Sequence, residues 1–106
     1  MSTVLKIPLD TGIADQQMDI TLDNKPMTLR VTWNEFGEYW YLSLGLRNGD
    51  PIVSGVKMVK DIPLLRRYQL SVPEGEFIFM DNYSGKSRPD FYSLGNDHLL
   101  LYKTRN

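Results

Sequence analysis

The chain has 106 residues, no cysteine, one histidine, and 12 basic against 13 acidic residues, for a net charge of −1. That length makes a single domain, residues 1–106, able to bury a core without disulfides or a structural metal. The missing thiols exclude disulfides, thiolate metal sites, iron–sulfur clusters and cysteine nucleophiles, and a pI of about 5.7 lacks the broad basic footprint of a nucleic-acid binder.

No stretch reaches the ~18 apolar residues of a membrane helix, so no membrane partner is expected. Residues 1–10 lack the apolar run of a signal peptide, so the chain is expected to be made in the cytosol. Residues 4–9 read as a short extended segment that Pro8 ends or places at an edge. A loop with Gly12 follows. Residues 17–23 then alternate, with Met18, Ile20 and Leu22 inward and Asp19 and Thr21 outward. A turn over Asp23, Asn24, Lys25 and Pro26 leads into residues 27–33, where Met27, Leu29, Val31 and Trp33 alternate with Thr28, Arg30 and Thr32.

After a turn at Asn34, Glu35, Phe36 and Gly37, the alternation resumes at once. Trp40, Leu42, Leu44 and Leu46 take the inward parity, and Tyr39, Tyr41 and Ser43 the outward one. A period of two on both arms predicts a β-hairpin with one buried face. Asn48-Gly49 supplies the positive φ of a tight turn, and residues 52–59 form the next strand. Gly55 within it predicts a bulge or bend, a device that can curl a sheet into a barrel.

Residues 62–68 do not alternate. Pro63 suits a first helical turn, so one short helical or 3₁₀ turn is expected, with Leu64, Leu65 and Tyr68 covering an open barrel end. Residues 76–81 are a strand with Phe77 and Phe79 on one face and Ile78 and Met80 on the other. Apolar residues on both faces mean burial on both sides or one side awaiting a partner. Residues 82–93 are irregular yet carry Tyr83, Phe91 and Tyr92, and the last strand lies within residues 94–103. The fold class is all-β: a small antiparallel barrel or sandwich of about seven strands with one helical turn.

Groups for chemistry are sparse. His98, between Asp97 and three leucines, has no second histidine to build a triad or a zinc site and reads as a strand-edge residue. Asp10, Asp15, Asp19 and Asp23 lack the spacing of a calcium loop. Gly85-Lys86-Ser87 matches only the tail of a phosphate loop, with no helix after it. No catalytic residue, cofactor or metal is expected, and the chain reads as no enzyme. Lys57, Lys60, Arg66 and Arg67 with Tyr68 could serve a small OB- or SH3-like module that binds nucleic acid or a peptide, the alternative function; nucleic acid is disfavoured by the charge balance.

Charge is uneven. Residues 1–24 hold one lysine and four aspartates, and residues 25–69 hold seven basic and four acidic residues. Such opposite patches suit docking to a protein partner or to copies of the same chain. Tyrosines on an outward parity suit an interface. The candidate interface residues are therefore Tyr39, Tyr41, Arg66 and Arg67.

The order of segments resembles a known family. Ile7-Pro8-Leu9, Gln17 with Ile20 and Leu22, Leu29-Arg30-Val31 with Trp33-Asn34, and Trp40-Tyr41-Leu42 with Leu44 carry its first half. Gly49 before Pro51-Ile52-Val53 and Gly55, Leu64-Leu65 with Tyr68, Gly75 with Phe77-Ile78 and Asp81, Leu94-Gly95 and Leu100-Leu101-Tyr102 complete it. This run is similar to the small plug proteins of contractile-tailed bacteriophage baseplates. Residues 82–93 depart from it in their tyrosine and phenylalanine content.

The resemblance implies a non-enzymatic structural protein of the virion tail baseplate, present in the host cytoplasm during assembly. It would sit centrally near the junction of hub, tail tube and spike, contact those proteins, and act in several copies as a homo-oligomer. It carries no catalytic residues to this chain.

Overall fold

The computed structural model describes residues 3–70, 72–81, 89–95 and 97–104. Among these described residues seven strands follow in chain order: β1 (Val4–Lys6), β2 (Asp15–Leu22), β3 (Lys25–Asn34), β4 (Tyr39–Leu46), β5 (Pro51–Lys57), β6 (Glu76–Asp81) and β7 (His98–Lys103), with a 3₁₀ turn at Arg66–Tyr68. They make two antiparallel sheets, one of four strands in the order β2-β3-β4-β5 and one of three in the order β1-β7-β6.

The expected hairpin register holds. Trp33 pairs with Trp40, Val31 with Leu42 and Leu29 with Leu44 across β3 and β4. Trp40, Leu42 and Leu44 are buried, as are Met27, Leu29 and Val31, whereas Trp33 at the hairpin's end is only partly covered. The second sheet meets this face with Phe77, Phe79, Leu100 and Tyr102, so a single core lies between the sheets. The turn after β2 is shorter than expected: Leu22 pairs with Lys25, and Asp23 and Asn24 alone turn, both at positive φ. Pro26 lies in β3 beyond the end of β4, where its missing N–H breaks no ladder bond to that neighbour.

The sheets do not close into a barrel; the fold is sandwich-like. Gly55 does bulge its strand. It sits at φ +67°, its N–H donates to Ser43 Oγ at 3.1 Å, and the β4–β5 register shifts between Leu42 and Leu44. Pairing with β4 resumes after the bulge at Val56 and Lys57. Beyond β5 the chain meets β6 in isolated bridges, Lys60 to Phe79 and Pro63 to Ile78, and Pro63 has no N–H to continue a ladder.

His98 opens β7, at the strand's edge as expected, yet is fully buried: it pairs with Asp81 of β6, its backbone bonds to Ser93 and Gly95 on the other side, and its ring lies 5.7 Å from that of Phe79. Leu64 and Leu65 are buried, but Tyr68 stays partly exposed, because the tight 3₁₀ turn carries it away from the core. Of the irregular stretch 82–93, residues 82–88, with Tyr83 and Gly85-Lys86-Ser87, lie outside the described residues. Phe91 packs on both tryptophans, with ring centroids 5.8 Å from each, and Trp40 Nε1 donates to the Asp90 carbonyl at 3.0 Å.

Tyr102 joins strands distant in sequence. Its hydroxyl donates to Asp23 Oδ2 at 2.6 Å and accepts the Gly75 N–H at 2.8 Å. Burial, reinforced by the Asp23 carboxylate, pushes the Tyr102 phenol well above its ordinary range. Gly75 must be glycine: a Cβ there would run into the Lys103 carbonyl oxygen and lie 2.7 Å from the Tyr102 ring.

Candidate functional site

One concave surface lies where β5 ends. After the Gly55 bulge, Val56 returns to the core and Lys57 points outward. The Met58 N–H donates to the Trp40 carbonyl at 2.9 Å, a last tie to β4. The chain then crosses to β6, where the Asp61 N–H donates to the Phe79 carbonyl at 2.8 Å and the Leu64 N–H to the Phe77 carbonyl at 2.9 Å. Leu64 and Leu65 anchor this crossing in the core, and Val59, Ile62 and Tyr68 are left at the surface.

Between crossing and strand runs a groove of about 630 Å³, floored by those apolar side chains and rimmed by Lys57, Arg66 and Arg67. An apolar floor with a few convergent charges is the usual composition of a binding site. Each cation has a neighbour. Lys57 Nζ stands 3.6 Å from the centroid of the Tyr39 ring, Arg67 Cζ lies 5.3 Å from that of Tyr68, and Arg66 Nη2 meets Glu76 Oε1 at 2.6 Å. These are exposed or half-exposed contacts, each worth about 1 kcal/mol or less. The two ring contacts leave the charges of Lys57 and Arg67 uncompensated, while Glu76 offsets that of Arg66.

Of the four residues singled out from sequence, Arg66 and Arg67 line this groove. Tyr39 reaches its edge through Lys57. Tyr41 is the register partner of Lys57, half-buried on the outer face of the sheet, and does not line the groove.

Acidic residues of the first quarter have partners within the fold. Asp15 is held by Arg30, with Nε donating at 2.9 Å and Nη2 at 2.6 Å, and this pairing keeps its carboxyl below the ordinary range. Asp19 accepts from Thr28 Oγ1 at 3.2 Å and Asp23 from the Tyr102 hydroxyl. Much of the acidic first quarter is therefore engaged within the fold.

A second surface is acidic and aromatic. At the β3–β4 tip Phe36 is fully exposed, flanked by Glu35 and Glu38. Beside it a cleft of about 630 Å³ is lined by Trp33, Glu35, Glu38, Asp90, Phe91 and Tyr92, and Tyr92 is 71% exposed. The available signal was Phe36 itself, an aromatic residue in a turn with no core within reach. Among the described residues no three histidine, cysteine or acidic side chains gather as metal ligands.

The family model described as "Cyanophage baseplate Pam3 plug gp18" matches residues 4–105. The curated proteins contain no match to the chain. This protein belongs to that family of cyanophage baseplate plugs.

Proposed function

We propose that the protein is a non-enzymatic structural plug at the centre of a contractile-tail baseplate, near the junction of hub, tail tube and spike, where it acts through protein–protein contacts and in several copies. The observation that carries this reading is the family match over nearly the whole chain. Two surfaces of opposite chemistry support it, a basic apolar groove and an acidic aromatic tip. Tyr39, Tyr41, Arg66 and Arg67 are the side chains proposed to contact neighbours. In this reading the fold is a rigid block whose surfaces are read by other proteins.

The test is a phage carrying a deletion of the gene, compared with wild type by mass spectrometry of purified tails and by electron microscopy. The expected result is that the protein fractionates with the baseplate and that its loss leaves baseplates incomplete at their centre. A protein found only outside particles, with deletion particles of normal composition, would overturn the reading.

A further inference from the structure

We infer that the β3–β4 tip of one copy seats in the β5 groove of a second copy, with Phe36 as the anchor. This rests on the reading of the chain as a multicopy baseplate component, and it names the surfaces that meet.

The tip is built to be presented. Asn34 staples it twice: its side chain accepts the Gly37 N–H at 3.0 Å and its carbonyl accepts the Glu38 N–H at 2.8 Å. Phe36 thus stands on a pre-ordered turn, which lowers the ordering cost of docking. A fully solvated phenyl ring on such a tip has no role in the core of its own chain.

The groove offers what that tip lacks. Val59, Ile62 and Tyr68 leave apolar surface to receive a ring. Lys57, Arg66 and Arg67 stand around it to meet Glu35 and Glu38. Arg66 need only exchange one exposed carboxylate, Glu76, for another.

Charge also fixes which surfaces pair. Two acidic tips repel, as do two basic grooves, so the favoured contact is tip to groove. Made in one direction such a contact is heterologous and produces a ring where the rotation closes; made reciprocally it gives a two-fold dimer. Tip and groove lie at the same end of the sheet, since Tyr41 pairs with Lys57 and Met58 bonds to Trp40. Successive copies therefore turn sharply about one another, which favours closure over an extended filament.

Because the chain has no cysteine, introduced thiols report contacts without background. Full-length Gly37→Cys chains, which keep the Phe36 ring, and Ile62→Cys chains are mixed at high concentration under mild oxidation, and the same pair is co-expressed in assembling phage. The expected product is the mixed disulfide dimer in both settings, with little product from either variant alone. Glu38→Lys should lower its yield, and Lys57→Glu in the second chain should restore it. Phe36→Ser should weaken self-association by about 30-fold or more, the loss expected for a hot-spot anchor, with an unchanged melting temperature.

Gly37→Cys linked mainly to itself, or to a different baseplate protein, would overturn the inference and leave the baseplate reading standing. Absence of mixed dimer in particles that contain both variants would do the same. Absence of the protein from particles would instead overturn the baseplate reading.

Discussion

Trp40 ties the hairpin to the rest of the sandwich, and its truncation gives the sharpest test of the core. Its side chain is 1% exposed, lies 5.1 Å from Trp33 and 5.8 Å from Phe91 between ring centroids, and donates to the Asp90 carbonyl at 3.0 Å. Trp40→Ala removes a large buried side chain at a cost of about 3–5 kcal/mol. The Asp90 carbonyl also loses its donor, a further cost of about 1 kcal/mol. A domain of this size has roughly 5–15 kcal/mol in all, so the variant should lose a large part of its stability. Trp40→Phe gives a graded measurement. It keeps a ring against Phe91 and loses the hydrogen bond and part of the volume, for about 1–2 kcal/mol. Urea denaturation followed by far-ultraviolet circular dichroism measures both, and the fluorescence of Trp33 reports the second variant independently. A loss below about 1 kcal/mol for Trp40→Ala, the range of surface substitutions, would refute the packing described.

Gly75→Ala should lower stability by about 1–3 kcal/mol in thermal melts, because its methyl group collides with the Lys103 backbone and the Tyr102 ring. Gly55→Val should also lower the melting temperature, since a β-branched residue is forced to φ +67°; an unchanged melt would count against the bulge. Tyr102 is held protonated in the fold, so its contribution is fully present below the unfolded phenol's pKa of about 10 and is lost as pH rises above it. Above pH ~10 the wild type should therefore lose stability more steeply than Tyr102→Phe, by up to about 1.4 kcal/mol per pH unit, and equal slopes would refute the assignment.

Local pattern carried much of this fold. The alternation through Met27, Leu29 and Val31 and through Trp40, Leu42 and Leu44 gave the buried face, because a period of two admits one face per parity. Gly55 marked its own bulge, since positive φ is a property of single residues. What failed was long-range. Nothing local says that β7 lies between β1 and β6, or that residues 93–95 fold back over His98. Tyr102 and Asp23 are 79 residues apart and Trp40 and Asp90 are 50 apart, so the fold alone brings them together. The Asp15–Arg30 pair was within reach: the two-residue turn sets Gln17 opposite Arg30, which puts Asp15 on its diagonal. At the candidate site Arg66 and Arg67 were legible as charge, but their groove was not. Its apolar floor comes from a segment without periodicity.

The central claim is tested most directly by a reconstruction of the assembled baseplate at side-chain resolution. The account predicts this chain at the centre in several copies, with Tyr39, Tyr41, Arg66 and Arg67 against neighbouring proteins and the β5 groove occupied. A baseplate that lacks the chain, or one in which all four side chains and the groove face only solvent, would contradict it.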